Sequence, residues 1–148
     1  MPIRVVTWGT GNVGCYAVRA VLNHPELELV GHIVSSPAKA GRDVAELAGL
    51  DQPTGVLATD DIDGALAASP DCVVYTAHSE TRMMEAAEDQ ARCLRAGINV
   101  VSSSLFMLQY PDNPAIGFLA DPLKAACADG NSTCFNNGID PGFANDTM

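Results

Sequence analysis

The chain has 148 residues, enough for one domain with its own core, and 47% of them are apolar. Eighteen acidic residues stand against eight scattered basic ones, a formal net charge of −10, which excludes the electrostatic footprint of a nucleic-acid or anionic-membrane binder. No apolar run approaches the roughly 20 residues of a membrane span, and no basic stretch with a cleavage site precedes the first apolar run, so a cytoplasmic location is expected.

Residues 3–8 read as a buried strand that runs straight into Gly9-Thr10-Gly11-Asn12-Val13-Gly14, and a helical pattern follows at once. This order matters more than the GxGxxG spacing alone, which also occurs in ordinary flexible turns. At a strand-to-helix elbow, Gly9 permits the tight turn, Gly11 lets a diphosphate approach the backbone, and Gly14 lets the helix pack on the strand. The predicted helix turns Val13, Ala17, Ala20 and Val21 to the core and stops at Asn23-His24-Pro25, where proline disfavours continuation.

A second strand is expected over residues 27–34, a short helix over 42–50 ending at Gly49, and a third strand over 56–59. Residues 60–68 read as a helix whose early aspartates suit its positive end, closed by Ser69-Pro70. A fourth strand covers 71–77; the next helix places Met84, Ala87, Ala91 and Leu94 at core spacing and stops at Gly97. Residues 98–102 form strand five, Asp121-Pro122 reads as an N-cap with proline at the first helical position, and 131–136 form strand six. Strands alternating with helices throughout predict an α/β fold, a doubly wound parallel sheet of the Rossmann type. The dinucleotide-binding domain is assigned to residues 1–137. Residues 138–148 are read as the start of a crossover to a substrate domain absent from this chain.

In such a sheet ligands sit where loops leave the carboxyl ends of the strands. After strand two, where an acid would hold the ribose hydroxyls of NAD, this chain has Ser35-Ser36-Pro37, with Lys39 and Arg42 just beyond. NADP is therefore admissible beside NAD; the competing reading makes Lys39 and Arg42 solvated loop charges. After strand four come Ala77 and His78, the latter the most interesting of three histidines, with no orienting partner legible. After strand five come Ser102 and Ser103, either a hydroxyl-rich contact or an ordinary polar turn.

Five cysteines, odd in number and never in a CxxC pair, fit reduced thiols; neither a disulfide framework nor a metal site is indicated. Cys134 admits a different function, the nucleophile of an acylating aldehyde dehydrogenase, but it lies in a strand-like run and buried packing competes with that role. Cys15, in the first turn of the phosphate-binding helix, is read as packing.

With these runs in view the chain resembles the N-terminal domain of the dihydrodipicolinate reductase-like family, most closely its amine-dehydrogenase (2,4-diaminopentanoate dehydrogenase) branch. The resemblance is carried by the elbow, by Gly41-Arg42-Asp43-Val44-Ala45-Glu46-Leu47-Ala48-Gly49, by Asp71-Cys72-Val73-Val74-Tyr75-Thr76-Ala77-His78-Ser79-Glu80, by Gly97-Ile98-Asn99-Val100-Val101-Ser102-Ser103-Ser104, and by the tail Asn137-Gly138-Ile139-Asp140-Pro141-Gly142-Phe143. It implies a nicotinamide-dependent oxidoreductase moving hydride at a C=N or C–N carbon of a small amino acid or diamine. It also implies that Gly9 to Gly14 hold the diphosphate, Ser35 and Ser36 the adenosine ribose, Ala77 and His78 the nicotinamide ribose, and Ser102 and Ser103 the carboxamide side. Tyr75-Thr76-Ala77 and the serines after strand five stand where the reductases carry Asp-Phe-Thr and Gly-Thr-Thr, which points away from dihydrodipicolinate itself. The family's proton donors and substrate contacts belong to the second domain, so no catalytic acid is assigned here. A stand-alone NAD(P)H-sensing module is the alternative of another class; a homo-oligomer is left open.

Overall fold

The computed structural model describes residues 1–138 and Ala144, so most of the tail from Ile139 onward lies outside the described residues. The chain divides into two units, Met1–Ala77 and His78–Met148.

In the first unit β1 (Ile3–Trp8), β2 (Leu27–Ile33), β3 (Ala58–Thr59) and β4 (Cys72–Tyr75) form parallel strands in the order β3-β2-β1-β4. They are joined by α1 (Asn12–Asn23), α2 (Val44–Ala48) and α3 (Ile62–Ala67). Val5 and Leu29 of the sheet, Val18 and Val21 of α1, and Val44 and Ala48 of α2 make one core cluster. Each aliphatic side chain fully buried there contributes about 1.5–3 kcal/mol. The predicted face of α1 is corrected: Val13 is 54% exposed and Ala20 is exposed, while Gly14, Val18 and Val21 are buried. The helix must present Gly14 to the strand it leaves, and that rotation brings positions 14, 18 and 21 inward.

The short helices are set by their caps. The Asp43 carboxylate accepts from the N–H of Ala45 to open α2, and Gly49, at φ +65°, closes it in the left-handed region. Asp61 accepts from the N–H of Gly64 and opens α3.

In the second unit β5 (Asn99–Ser102) and β6 (Cys134–Asn136) pair in parallel, with α4 (Met83–Arg95) before β5 and α5 (Gly117–Gly130) between the two strands in sequence. Three expectations change here. Met84 is 56% exposed because the buried stripe of α4 is made by Ala86, Ala87, Gln90, Ala91, Cys93 and Leu94. Pro122 lies inside α5, which begins at Gly117 after a 3-10 turn over Pro114–Ile116, so Asp121 is not its N-cap. The proline forgoes one backbone bond, to the carbonyl of Phe118. Strand six is shorter than predicted because Asn131, at φ +49°, caps α5. Six parallel strands interleaved with helices make a Rossmann-type α/β fold. Among the described residues no helix is long and apolar enough to cross a membrane.

Candidate nucleotide-binding site

The elbow between β1 and α1 is held from below by the end of β4. Thr76 donates twice to the Trp8 carbonyl, from its backbone N–H at 2.8 Å and from its hydroxyl at 3.0 Å. Gly9, at φ +120°, lies directly above: a Cβ there would be 2.9 Å from Thr76 Oγ1 and 3.0 Å from the Ala77 N. A Cβ on Gly14 would fall inside the envelope of the Gly9 carbonyl oxygen. Both glycines are thus required by the chain's own packing. Gly11 differs, since a Cβ there would meet nothing within 4 Å and its extended backbone (φ −74°, ψ −178°) suits any residue.

Gly11 is also the N-cap of α1, and no side chain caps that terminus, in contrast to the aspartates that open α2 and α3. Gly11, Asn12 and Val13 are exposed, so the first N–H groups of α1 face outward with the positive end of the helix dipole behind them. Thr10, the turn's middle residue, accepts from the Lys39 ammonium at 2.7 Å.

Beneath the elbow the His32 ring is buried, with Nδ1 2.7 Å from Thr7 Oγ1 and no partner for Nε2 among the described residues. Burial, and after it the charge of Lys39, push its pKa down to about 4. His32 is therefore a neutral strand side chain at physiological pH.

At the exit of β2, Ser35 is exposed and Ser36 half-buried, with no acid beside them in sequence. Arg42 is engaged elsewhere: its guanidinium bonds the Glu46 carboxylate at 2.6 Å, one helical turn on. Ala77 ends the first unit half-buried.

The second unit holds the remaining sequence candidates. His78 is exposed and has no side-chain hydrogen bond among the described residues. Ser79 beside it accepts from the Leu105 N–H at 3.2 Å. Ser102 and Ser103 separate in role: Ser102 is 2% exposed and spends its hydroxyl within the turn, accepting from the Ser104 N–H at 3.0 Å and donating to the Ser104 carbonyl at 3.1 Å. Ser103 is exposed.

The nucleophile reading of Cys134 is corrected. Burial, with a smaller contribution from neighbouring Cys127, pushes its thiol up to about 12, opposite to what thiolate catalysis requires. Among the described residues no group of three or more His, Cys, Asp or Glu could hold a metal.

Sequence reasoning missed Thr76 as the support of the elbow and Thr10 as the seat of Lys39. Both depend on pairings between distant residues, for which one chain carries no signal.

Comparison with known proteins agrees with this geometry. Residues 3–104 match the family model described as dihydrodipicolinate reductase, N-terminus. An amine dehydrogenase of Streptomyces virginiae is 48% identical over 146 residues, 99% of this chain and 40% of that protein. A 4-hydroxy-tetrahydrodipicolinate reductase of Anaeromyxobacter sp. is 35% identical over 100 residues, 68% of this chain and 35% of that protein. The solved amine dehydrogenase of Mycobacterium smegmatis superposes with a TM-score of 0.80 at 29% identity, covering 95% of this chain and 40% of that one. The chain thus spans about two fifths of the length of these amine dehydrogenases. A family match across the elbow, the exit of β2 and the loop after β5 leads to one conclusion: the chain belongs to the dihydrodipicolinate reductase N-terminal domain family.

Proposed function

We propose that the chain is the NAD(P)-binding domain of an oxidoreductase that moves hydride at a C=N or C–N carbon of a small amino acid or diamine. The observation that carries this reading is Gly11: the protein's own packing makes no demand for glycine there, and the uncapped N–H groups of α1 lie beside it. A diphosphate supplies the missing reason, because it needs both the empty volume and the donors. The names of the similar proteins, amine dehydrogenase and 4-hydroxy-tetrahydrodipicolinate reductase, support the reaction class.

In this reading Gly9, Thr10, Gly11, Asn12, Val13 and Gly14 hold the diphosphate by backbone N–H groups, and Ser35 and Ser36 hold the adenosine ribose. Ala77, His78 and Ser103 serve the nicotinamide half. The nicotinamide supplies the hydride chemistry when bound, and the protein's part is to fix and orient it. The substrate and its proton donors belong to the part of the enzyme that lies beyond this domain.

Titration of NADPH and NADH against the protein, followed through Trp8, tests the reading. Trp8 is the sole tryptophan, it precedes Gly9, and its ring stands edge-on to Tyr75 at 5.2 Å. A saturable change in its emission is expected. No response to either dinucleotide at millimolar concentration, by fluorescence and by calorimetry, rejects the site.

A further inference from the structure

We infer that the Thr76 hydroxyl is a positioning group for the dinucleotide: by locking the Trp8–Gly9 peptide from the β4 side, it holds the glycine turn in the shape that receives the diphosphate. The inference rests on the reading of the elbow as a dinucleotide seat and names a residue outside the glycine turn that sets its affinity.

The Trp8–Gly9 peptide is gripped on both sides. Its N–H, that of Gly9, donates to the Ile33 carbonyl of β2 at 3.0 Å. Its carbonyl, that of Trp8, accepts from the Thr76 N–H at 2.8 Å and from the Thr76 hydroxyl at 3.0 Å. A parallel ladder asks only for the backbone bond. The hydroxyl takes the second lone pair of an oxygen the sheet has already satisfied, so pairing β1 with β4 does not require it.

What the second bond restricts is rotation of that peptide. At the outer end of the turn a Cβ on Gly11 would meet nothing within 4 Å, no side chain caps α1, and Lys39 bonds the Thr10 side chain rather than its backbone. The course of the turn is therefore set at its inner end. Thr76 Oγ1 lies there, 2.9 Å from the point a Cβ on Gly9 would take and 3.0 Å from that of Gly14. One oxygen thus touches the end of β1, the start of the turn and the first turn of α1. Serine would place the same atom there, valine a methyl group and alanine nothing. A turn held in shape before the ligand arrives leaves less ordering to the binding step.

The test is calorimetric titration of NADH, NADPH and 5′-ADP, which share the diphosphate, at a temperature well below the melting point of each variant. Thr76→Ala should weaken all three by about 3- to 10-fold, the value of one lost hydrogen bond, and Thr76→Ser should stay within about 2-fold of the wild type. Thr76→Val keeps the branched shape without the hydroxyl and should bind no better than Thr76→Ala; it carries the test if the alanine variant does not fold. The amide resonances of Gly11, Asn12 and Val13 should shift in Thr76→Ala and Thr76→Val and return to their wild-type positions in Thr76→Ser. Unchanged affinity in folded Thr76→Ala or Thr76→Val, whatever the fall in Tm, overturns the inference, since the hydroxyl then serves stability alone. So does a serine variant as weak as the alanine one, a loss confined to one of the three ligands, or failure of both hydroxyl-free variants to fold. A wild type that binds none of the three rejects the elbow reading itself, a separate failure.

Discussion

The carbonyl oxygen of Gly9 occupies the place a Cβ on Gly14 would need, whereas the same test at Gly11 meets open space. The three glycines of one motif therefore answer to different forces, and substitution separates them. Gly14→Ala should lower stability by about 1–3 kcal/mol through overpacking, with a fall in Tm of roughly 5 °C. Gly11→Val should keep Tm within about 3 °C, because its extended backbone tolerates a β-branched residue, yet weaken both dinucleotides by about 100-fold or more. Thermal melts and cofactor titrations of the two variants check this; normal binding by Gly11→Val would show the turn has been misread.

The Asp43 carboxylate ties α2 to the loop that follows it. It accepts from Ala45 N at 2.8 Å, Thr54 N at 3.1 Å, Thr54 Oγ1 at 2.9 Å and Gly55 N at 2.9 Å. The backbone bond from Thr54, then that from Ala45, hold its pKa down to about 2 from 3.8. A carboxyl depressed in this way stabilises the fold fully above its unfolded pKa and loses that contribution as pH falls from about 4 to about 2. Asp43→Asn should melt roughly 5 °C below the wild type at pH 7, with the gap closing across that acid window. Melting curves from pH 7 to pH 2 measure it, and a gap of constant size would contradict the account.

What could be read from the sequence was local. The strand, the elbow and the helix after it were legible because apolar run, glycines and helical spacing are contiguous, and Gly49 marked the end of α2; its start was read one residue early, at Arg42, where Asp43 is the cap. The inward face of α1 was not legible: Val13 and Ala20 fit a helical period as well as Gly14 and Val18 do, and the choice is made by the carbonyl of Gly9. Pro122 signals a helix start by local rules, yet α5 runs through it from Gly117. The site was legible in the same proportion. Its glycines were visible, while Lys39 on Thr10, 29 positions away, and Thr76 under Trp8, 68 positions away, are products of the folded sheet.

Cys134 illustrates a residue type that invites a chemistry its surroundings forbid. With its thiol pushed up to about 12 by burial, the thiolate fraction at pH 8 is on the order of one in ten thousand. Iodoacetamide should modify Cys134 about 100-fold or more slowly in the native protein than in guanidinium, as read by peptide mass spectrometry. Cys134→Ser should leave dinucleotide binding unchanged. Rapid native labelling confined to Cys134 would reopen the nucleophile reading.

His32 carries the last prediction, since two causes of unequal size lower it from 6.5 to about 4: burial first, then the charge of Lys39. A base whose folded pKa lies below its unfolded value favours the folded state while neutral. Its contribution is complete above pH 6.5 and is lost as pH falls toward 4, where the unfolded chain takes up a proton that the folded chain refuses; the full span is worth up to about 3 kcal/mol. Removing the Lys39 charge by Lys39→Met should raise the His32 pKa only part of the way to 6.5, because desolvation is untouched, and should shrink the stability lost between pH 6.5 and pH 4. Histidine ring NMR titration with urea unfolding at several pH values reads both effects. A His32 that titrates near 6.5 in the wild type, or that moves fully to 6.5 in Lys39→Met, would mean that the ring is not shielded by the β1–α1–α2 core, and the neutral layer beneath the elbow would have to be abandoned.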